Sequence, residues 1–324
     1  MVRSMKQDSA EIPTSFKEAV SLVENYVLTE IQKETERKKL YYHTETHAFA
    51  VKNRVKIIFE AIAPALDFQS QPLALDRIKS LLELCAISHD MVQEFSPPDK
   101  PHASRKRLSG ISESATATKL ISYIESLNRT LLAKSGDSSL EFSNLDLYLL
   151  QDGISATICD RDPLGGQTEY SFSPNSIYQP YLYNSQSQQS IVGQIVALAD
   201  LGTLGMEGIE AYLREGVLIF LEDNPDLVDL LSSPHSDLDA SDRNLPTIKN
   251  RLLDMARFIV NLAKERQLRF EREIGVFNLE IQQILRNRVF KYLTSENIKK
   301  VEALTPTDEN ISLKELLNFF RLNN

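Results

Sequence analysis

Residues 82–93 read LELCAISHDMVQ, and the way this stretch ends decides how the rest of the chain is read. Leu82, Leu84, Cys85, Ala86 and Ile87 leave almost no polar stripe to face water, so the helix predicted over Leu73–Met91 is a central one, apolar nearly all round. It closes on His89 and Asp90, side by side. An ionised carboxylate in such surroundings costs several kcal/mol unless it is paired or bound to a cation, so both residues need partners from elsewhere in the chain.

Two other stretches supply polar residues in equally apolar settings. Residues 41–51, YYHTETHAFAV, place His43 and His47 one helical turn apart in a chain with only five histidines. Residues 188–205, QQSIVGQIVALADLGTLG, carry Asp200 inside a second apolar helix. Neutral imidazoles with carboxylates suit a divalent transition ion such as Mn, Fe, Zn, Co or Ni, with Mg a further candidate and a second ion left open.

Outward from these stretches the chain reads as all-α. Glycines number 11 in 324 residues, and alternating apolar and polar residues are scarce, whereas apolar residues recur at helical spacing. Ser15 and Glu18 form a capping-box pattern opening a helix to about Lys38. A second helix is expected from near Thr46, and a fourth, GISESATATKLISYI (110–124), with Ser112 as its cap. NLDLYLLQDGISATIC (144–159) supplies one more before the Asp200 helix. Two segments break the rhythm. Residues 161–188 are rich in Pro, Ser, Asn and Tyr and read as a long loop; residues 222–246 are acidic and turn-rich and read as a linker. The expected organisation is therefore a helical domain over 1–221, a linker over 222–246 and a C-terminal helical extension over 247–324, whose stripes include Leu252, Met255 and Ile259, then Ile274, Phe277 and Ile281.

The formal charge of −9 argues against a nucleic-acid polymer as partner, because backbone phosphates are bound by clustered Lys and Arg. The start, MVRSMKQDSAEIP, has no apolar core of a secretory signal, and no apolar run is long enough to span a bilayer. Two cysteines, Cys85 and Cys159, make no disulfide framework. A cytoplasmic location without membrane attachment is expected; self-association into a homodimer is left open.

The order of these residues, a histidine, an adjacent His-Asp pair some forty residues on and an Asp a further hundred residues along, resembles the HD superfamily of metal-dependent phosphohydrolases. YHTETHAFAV is similar to that family's Tyr-His-x3-His-x3-Val entry, CAISHDM to its approach to the His-Asp pair, GISESATATKL to its Glu-x-Ser-Ala helix start and IVGQIVALADLGTLG to its closing ADLxxLG segment. The resemblance implies an HD-domain helical bundle with His47, His89, Asp90 and Asp200 as ligands of one divalent ion. It also implies His43 as general acid and Glu113 as the residue that orients an attacking water; Glu113 has a plainer reading as an acidic residue favoured at a helix start. The Gly-Lys of the cyclic-dinucleotide branch is missing, since Val92 and Gln93 follow the pair, and the acidic pair of the 5'-deoxynucleotidase branch is matched by Glu94 and Asp99 only out of step. The expected activity is hydrolysis of a phosphate ester or phosphoanhydride of a small, nucleotide-like phosphorylated metabolite. A non-catalytic sensor and an iron oxygenase on the same scaffold are the rivals.

The run KPHASRKRLSG (100–110) concentrates Lys100, Arg105, Lys106 and Arg107 between the His-Asp helix and the Glu113 helix. A solvated basic loop is its plain reading; contact of Arg105, Lys106 or Arg107 with substrate phosphate is the functional one. Tyr170, Tyr178, Tyr181 and Tyr183 are expected to pack on helices, while His102 and His235 lack ligand-like context.

Overall fold

In the computed structural model the described residues are 13–66, 74–96, 103–136, 138–161, 177–183, 189–232 and 245–320. Lys100, His102, Asp99, Tyr170 and His235 lie outside them. Thirteen α-helices are present among the described residues: α1 (Phe16–Lys38), α2 (Glu45–Ile62), α3 (Leu75–Ser88), α4 (Ile111–Ser135), α5 (Asn144–Ser155), α6 (Ile191–Asp200), α7 (Thr203–Glu207), α8 (Ile209–Asp223), α9 (Pro225–Ser232), α10 (Leu245–Glu273), α11 (Leu279–Ile284), α12 (Ser295–Leu304) and α13 (Leu313–Phe320). The only described strands are β1 (Asp160–Arg161) and β2 (Ile177–Tyr178), antiparallel with Asp160 opposite Tyr178. The chain is all-α. No described helix is long and apolar enough to cross a membrane.

Helix α3 is the hub. Its Leu81, Leu82, Leu84, Cys85, Ala86 and Ile87 are all buried, and α1, α2, α5 and α6 pack around it. Helix α2 contributes Val51, Val55 and Ile58, spaced to lie on one face, and α6 contributes Val192, Ile195, Val196 and Leu198. Each such side chain is worth roughly 1.5–3 kcal/mol of burial, so the ends of α2, α3 and α6, which carry the polar residues, are held by the most strongly buried part of the protein.

A second core forms between α8, α10, α12 and α13, around Phe220, Leu252, Ala256, Ile259, Val301, Leu316 and Phe320. The change from one core to the other therefore falls near residue 203, and α8 belongs with the C-terminal helices. The chain then returns: Phe270, Ile274, Phe277, Ile281, Leu285 and Phe290 pack on the first core. The linker expected over 222–246 is corrected for its described part, since Glu222 and Asp223 end α8, α9 follows at once and Leu245 opens α10; residues 233–244 lie outside the described residues. Pro225 at the first position of α9 needs no amide donor there, which is why a turn-like sequence folds as helix.

Local starts follow their sequence signals with one exception. Ser15 caps α1 by accepting from the Glu18 amide, and Ser143 and Asp146 make a reciprocal capping box on α5. Helix α4 instead opens on Gly110, whose φ of 77° favours glycine, and Ser112 lies within the helix. The Ser112 hydroxyl accepts from the Glu94 amide at 2.9 Å, tying α4 to the segment after Asp90 rather than capping it.

Candidate metal centre

Tertiary packing brings together the end of α3, the first turn of α2 and the last residue of α6. His47, His89, Asp90 and Asp200 each present a ligand atom, and all four atoms lie within 4.8 Å of one another. His89 Nε2 stands 2.9 Å from Asp90 Oδ2 and 3.4 Å from Asp200 Oδ1; His47 Nε2 stands 3.4 Å and 3.6 Å from the same two oxygens. His89 Nδ1 donates to the Ala86 carbonyl at 2.8 Å, which assigns the proton to Nδ1 and turns the Nε2 lone pair into the cluster. Both His47 Nε2 and His89 Nε2 are buried without a hydrogen-bond partner. Buried polar atoms left this way are uncommon, and two of them converging with two carboxylate oxygens fit a divalent cation of the imidazole-and-carboxylate class.

The electrostatics fit the same grouping. Burial opposes charge on Asp90, but His89 and His43 outweigh it and hold the carboxyl well below the usual range. Burial likewise opposes charge on Asp200, and His47 and His89 prevail, again lowering it. Against burial, the same carboxylates raise His47 and His89, so without an ion the four groups hold one another charged, and a cation would take the place of the imidazole protons at Nε2.

Two buried amides orient the carboxylates, and neither was singled out as a site residue in the sequence. Gln93 Nε2 donates to Asp90 Oδ1 at 2.9 Å, and Gln179 Nε2 donates to Asp200 Oδ2 at 3.0 Å. Each takes the oxygen that faces away from the histidines, leaving Asp90 Oδ2 and Asp200 Oδ1 toward the cluster. Gln179 reaches α6 because the segment 177–183 docks there. Tyr181 donates to Asp152 Oδ2 at 2.6 Å and accepts from the Ser190 amide at 2.9 Å. Only glycine at 193 allows this, since a Cβ there would sit 2.3 Å from the Tyr181 hydroxyl. Tyr181 and Tyr183 do pack on helices, the latter donating to Glu273 of α10 at 3.0 Å.

His43 stands beside the four and outside them, with Nε2 3.7 Å from Asp90 Oδ2. Its Nδ1 is hydrogen-bonded to Glu222 Oε1, at the end of α8. Glu222 Oε2 accepts the backbone N–H groups of Tyr41, Tyr42 and His43 at 3.1, 2.9 and 3.0 Å. Burial opposes the Glu222 charge, but His43, through its ring and its amide, and Arg107 hold its carboxyl far below the ordinary value. The carboxylate therefore clamps the turn before α2 and sets the direction of the His43 ring. Glu222 lay in the stretch read as a linker, where its acidic neighbours hid it.

The basic run is placed beside the site and is largely engaged there. Arg107 donates to Glu222 Oε1 at 2.7 Å and to Asp223 Oδ1 at 2.8 Å. Arg105 donates to the Lys38 carbonyl at 2.7 Å, and both guanidinium groups lie over Phe95. Lys106 pairs through its backbone with Ser96. Glu113, half-buried at the start of α4, has its carboxyl raised by burial and by the charges of Asp90 and Asp200. Cys159 shares that environment: burial, then Asp200, Glu113 and Asp90, push its thiol up, so it stays protonated.

Behind Asp200 a buried ion cluster braces the junction of the two cores. Arg54, fully buried on α2, pairs with Glu207 and Glu215 at 2.5 Å each and reaches the carbonyls of Ala199 and Asp200 at 3.4 Å. Like Glu222, these partners come from α7 and α8. No family model, curated protein or solved structure matches this chain.

Proposed function

We propose that the protein is a metal-dependent phosphohydrolase of the HD type, cleaving a phosphate ester or phosphoanhydride of a small nucleotide-like metabolite. The observation that carries this reading is the convergence of His47, His89, Asp90 and Asp200 with two partnerless imidazole nitrogens, beside a histidine that is held apart from them by Glu222. A divalent ion held by those four residues would supply an acidified water and polarise the phosphoryl oxygen.

The chain's own groups complete the chemistry. With Nδ1 engaged by Glu222, His43 directs Nε2 toward the cluster and gives its proton to the leaving oxygen through that nitrogen. Gln93 and Gln179 hold the outer carboxylate oxygens, so the ligand set does not reorganise during turnover. Glu113 faces the same charges and positions the nucleophilic water. Arg107, its fork taken by Glu222 and Asp223, serves the site by holding the carboxylate that orients His43.

The test is metal analysis of the purified chain together with phosphate release from a panel of nucleoside mono-, di- and triphosphates and cyclic nucleotides. Bound divalent ion and phosphatase or phosphodiesterase turnover support the reading. Stoichiometric metal with no hydrolysis of any panel member overturns it in favour of a sensor.

A further inference from the structure

Between α8 and α10, at the junction of the two cores, lies a cleft of about 490 Å³ of non-atom space, part of it continuous with open solvent. Tyr42 and Asp200 line it, so it adjoins the candidate metal centre, and Ile219, Met255, Phe258 and Leu262 form much of its wall. These four side chains are only half-buried, which leaves apolar surface open within a concavity instead of on a convex face.

The polar groups in the same wall are already engaged with one another. Glu215 pairs with Arg54 and accepts from the Thr203 hydroxyl; Tyr42 also donates to it, at 3.5 Å. The Tyr212 hydroxyl donates to the Ile259 carbonyl at 2.6 Å, and Arg266 bonds both oxygens of Glu273 at 2.6 Å. A hydroxyl-rich group entering here would lose its water and meet walls with few open partners, whereas an apolar group would lose nothing and bury surface. Asp200 sets the polar end of this arrangement and the α8–α10 wall its apolar end, a division suited to an amphipathic ligand.

We infer that the cleft seats the apolar part of the substrate. The substrate class is thereby narrowed to phosphate esters or anhydrides that carry an aromatic or aliphatic group, with the phosphoryl group at the metal centre and that group between α8 and α10. This rests on the phosphohydrolase reading for the placement of the phosphoryl group.

The experiment uses non-hydrolysable probes. Naphthylmethylphosphonate and methylphosphonate are titrated calorimetrically into the full chain loaded with Mn²⁺, so that their difference isolates the apolar group. The naphthyl compound is expected to bind at least about tenfold more tightly, and Phe258→Ala and Leu262→Ala are expected to remove most of that margin. Both positions are half-buried, and circular dichroism with thermal melting checks that each variant is folded. No tighter binding of the naphthyl compound, or a margin that survives in both folded variants, overturns the inference. Phosphate release from naphthyl phosphate and methyl phosphate is measured in parallel. Absence of hydrolysis with the binding margin intact defeats the phosphohydrolase reading alone, and hydrolysis without the margin defeats the cleft alone.

Discussion

Glu222 at the end of α8 grips His43 at both its backbone and its ring: one carboxylate oxygen takes the His43 amide at 3.0 Å and the other takes the ring Nδ1. The two residues are 179 positions apart. One buried carboxylate thus links the C-terminal helices to the turn that carries His43 and leads into α2, where His47 stands.

Glu222→Ala should be strongly destabilising, by roughly 3–5 kcal/mol, because three amides, His43 and Arg107 lose a buried acceptor together. Glu222→Gln should cost less and alter the acid response. The carboxyl is lowered in the folded state, so its contribution is complete above the unfolded value of about 4.3 and is lost as pH falls from there toward the depressed folded value. Urea unfolding between pH 3 and 7 should therefore show the gap between the native chain and E222Q widest at neutral pH and narrowing in acid. A gap that stays constant over that range would show that the Glu222 charge is not what stabilises the turn.

Asp90→Ala should abolish metal retention, since Asp90 Oδ2 is the oxygen nearest both cluster histidines. Metal analysis after gel filtration reads this directly, and full occupancy in the variant would remove Asp90 from the ligand set.

His43→Ala should keep its metal and lose about a hundredfold to ten-thousandfold in turnover, the usual worth of a general acid. Loss of metal would make His43 a ligand; unchanged metal and turnover would leave it with the structural role alone.

Gln179→Leu should weaken metal affinity by about ten- to a hundredfold, as outer-shell donors commonly do, while Asp200 itself is intact. Calorimetric titration of Mn²⁺ checks it. Unchanged affinity would mean that α6 alone orients the carboxylate.

Arg107→Ala should lower stability as well as weaken substrate use, because its fork neutralises Glu222 and Asp223. Arg105→Ala, whose guanidinium donates to a backbone carbonyl, lies over the Phe95 ring and acts on Asp223 through its charge alone, should act on KM with a smaller effect on melting. Equal melting temperatures for the native chain and Arg107→Ala would contradict the structural role of that pair.

Much of this was legible in the residues themselves. Apolar spacing gave the all-α class, and an almost wholly apolar α3 had to be central, so the cost of burying His89 and Asp90 at its end pointed to partners in other apolar stretches. Asp200 could be named for the same reason, whereas the choice of His47 over His43 as the ligand came only from the resemblance to the HD superfamily. What the sequence could not show was which polar residues arrive from the side. Glu222 sits among acidic, turn-forming neighbours and carries no periodic signal of burial. Gln93 and Gln179 are amides, which need no counter-charge and so leave no trace of expense in the pattern. The cleft between α8 and α10 exists only once two cores are set against each other. Helical periodicity records which face of a segment leaves water; the partner that a buried polar group finds there, 179 residues away in the case of His43, is decided by packing.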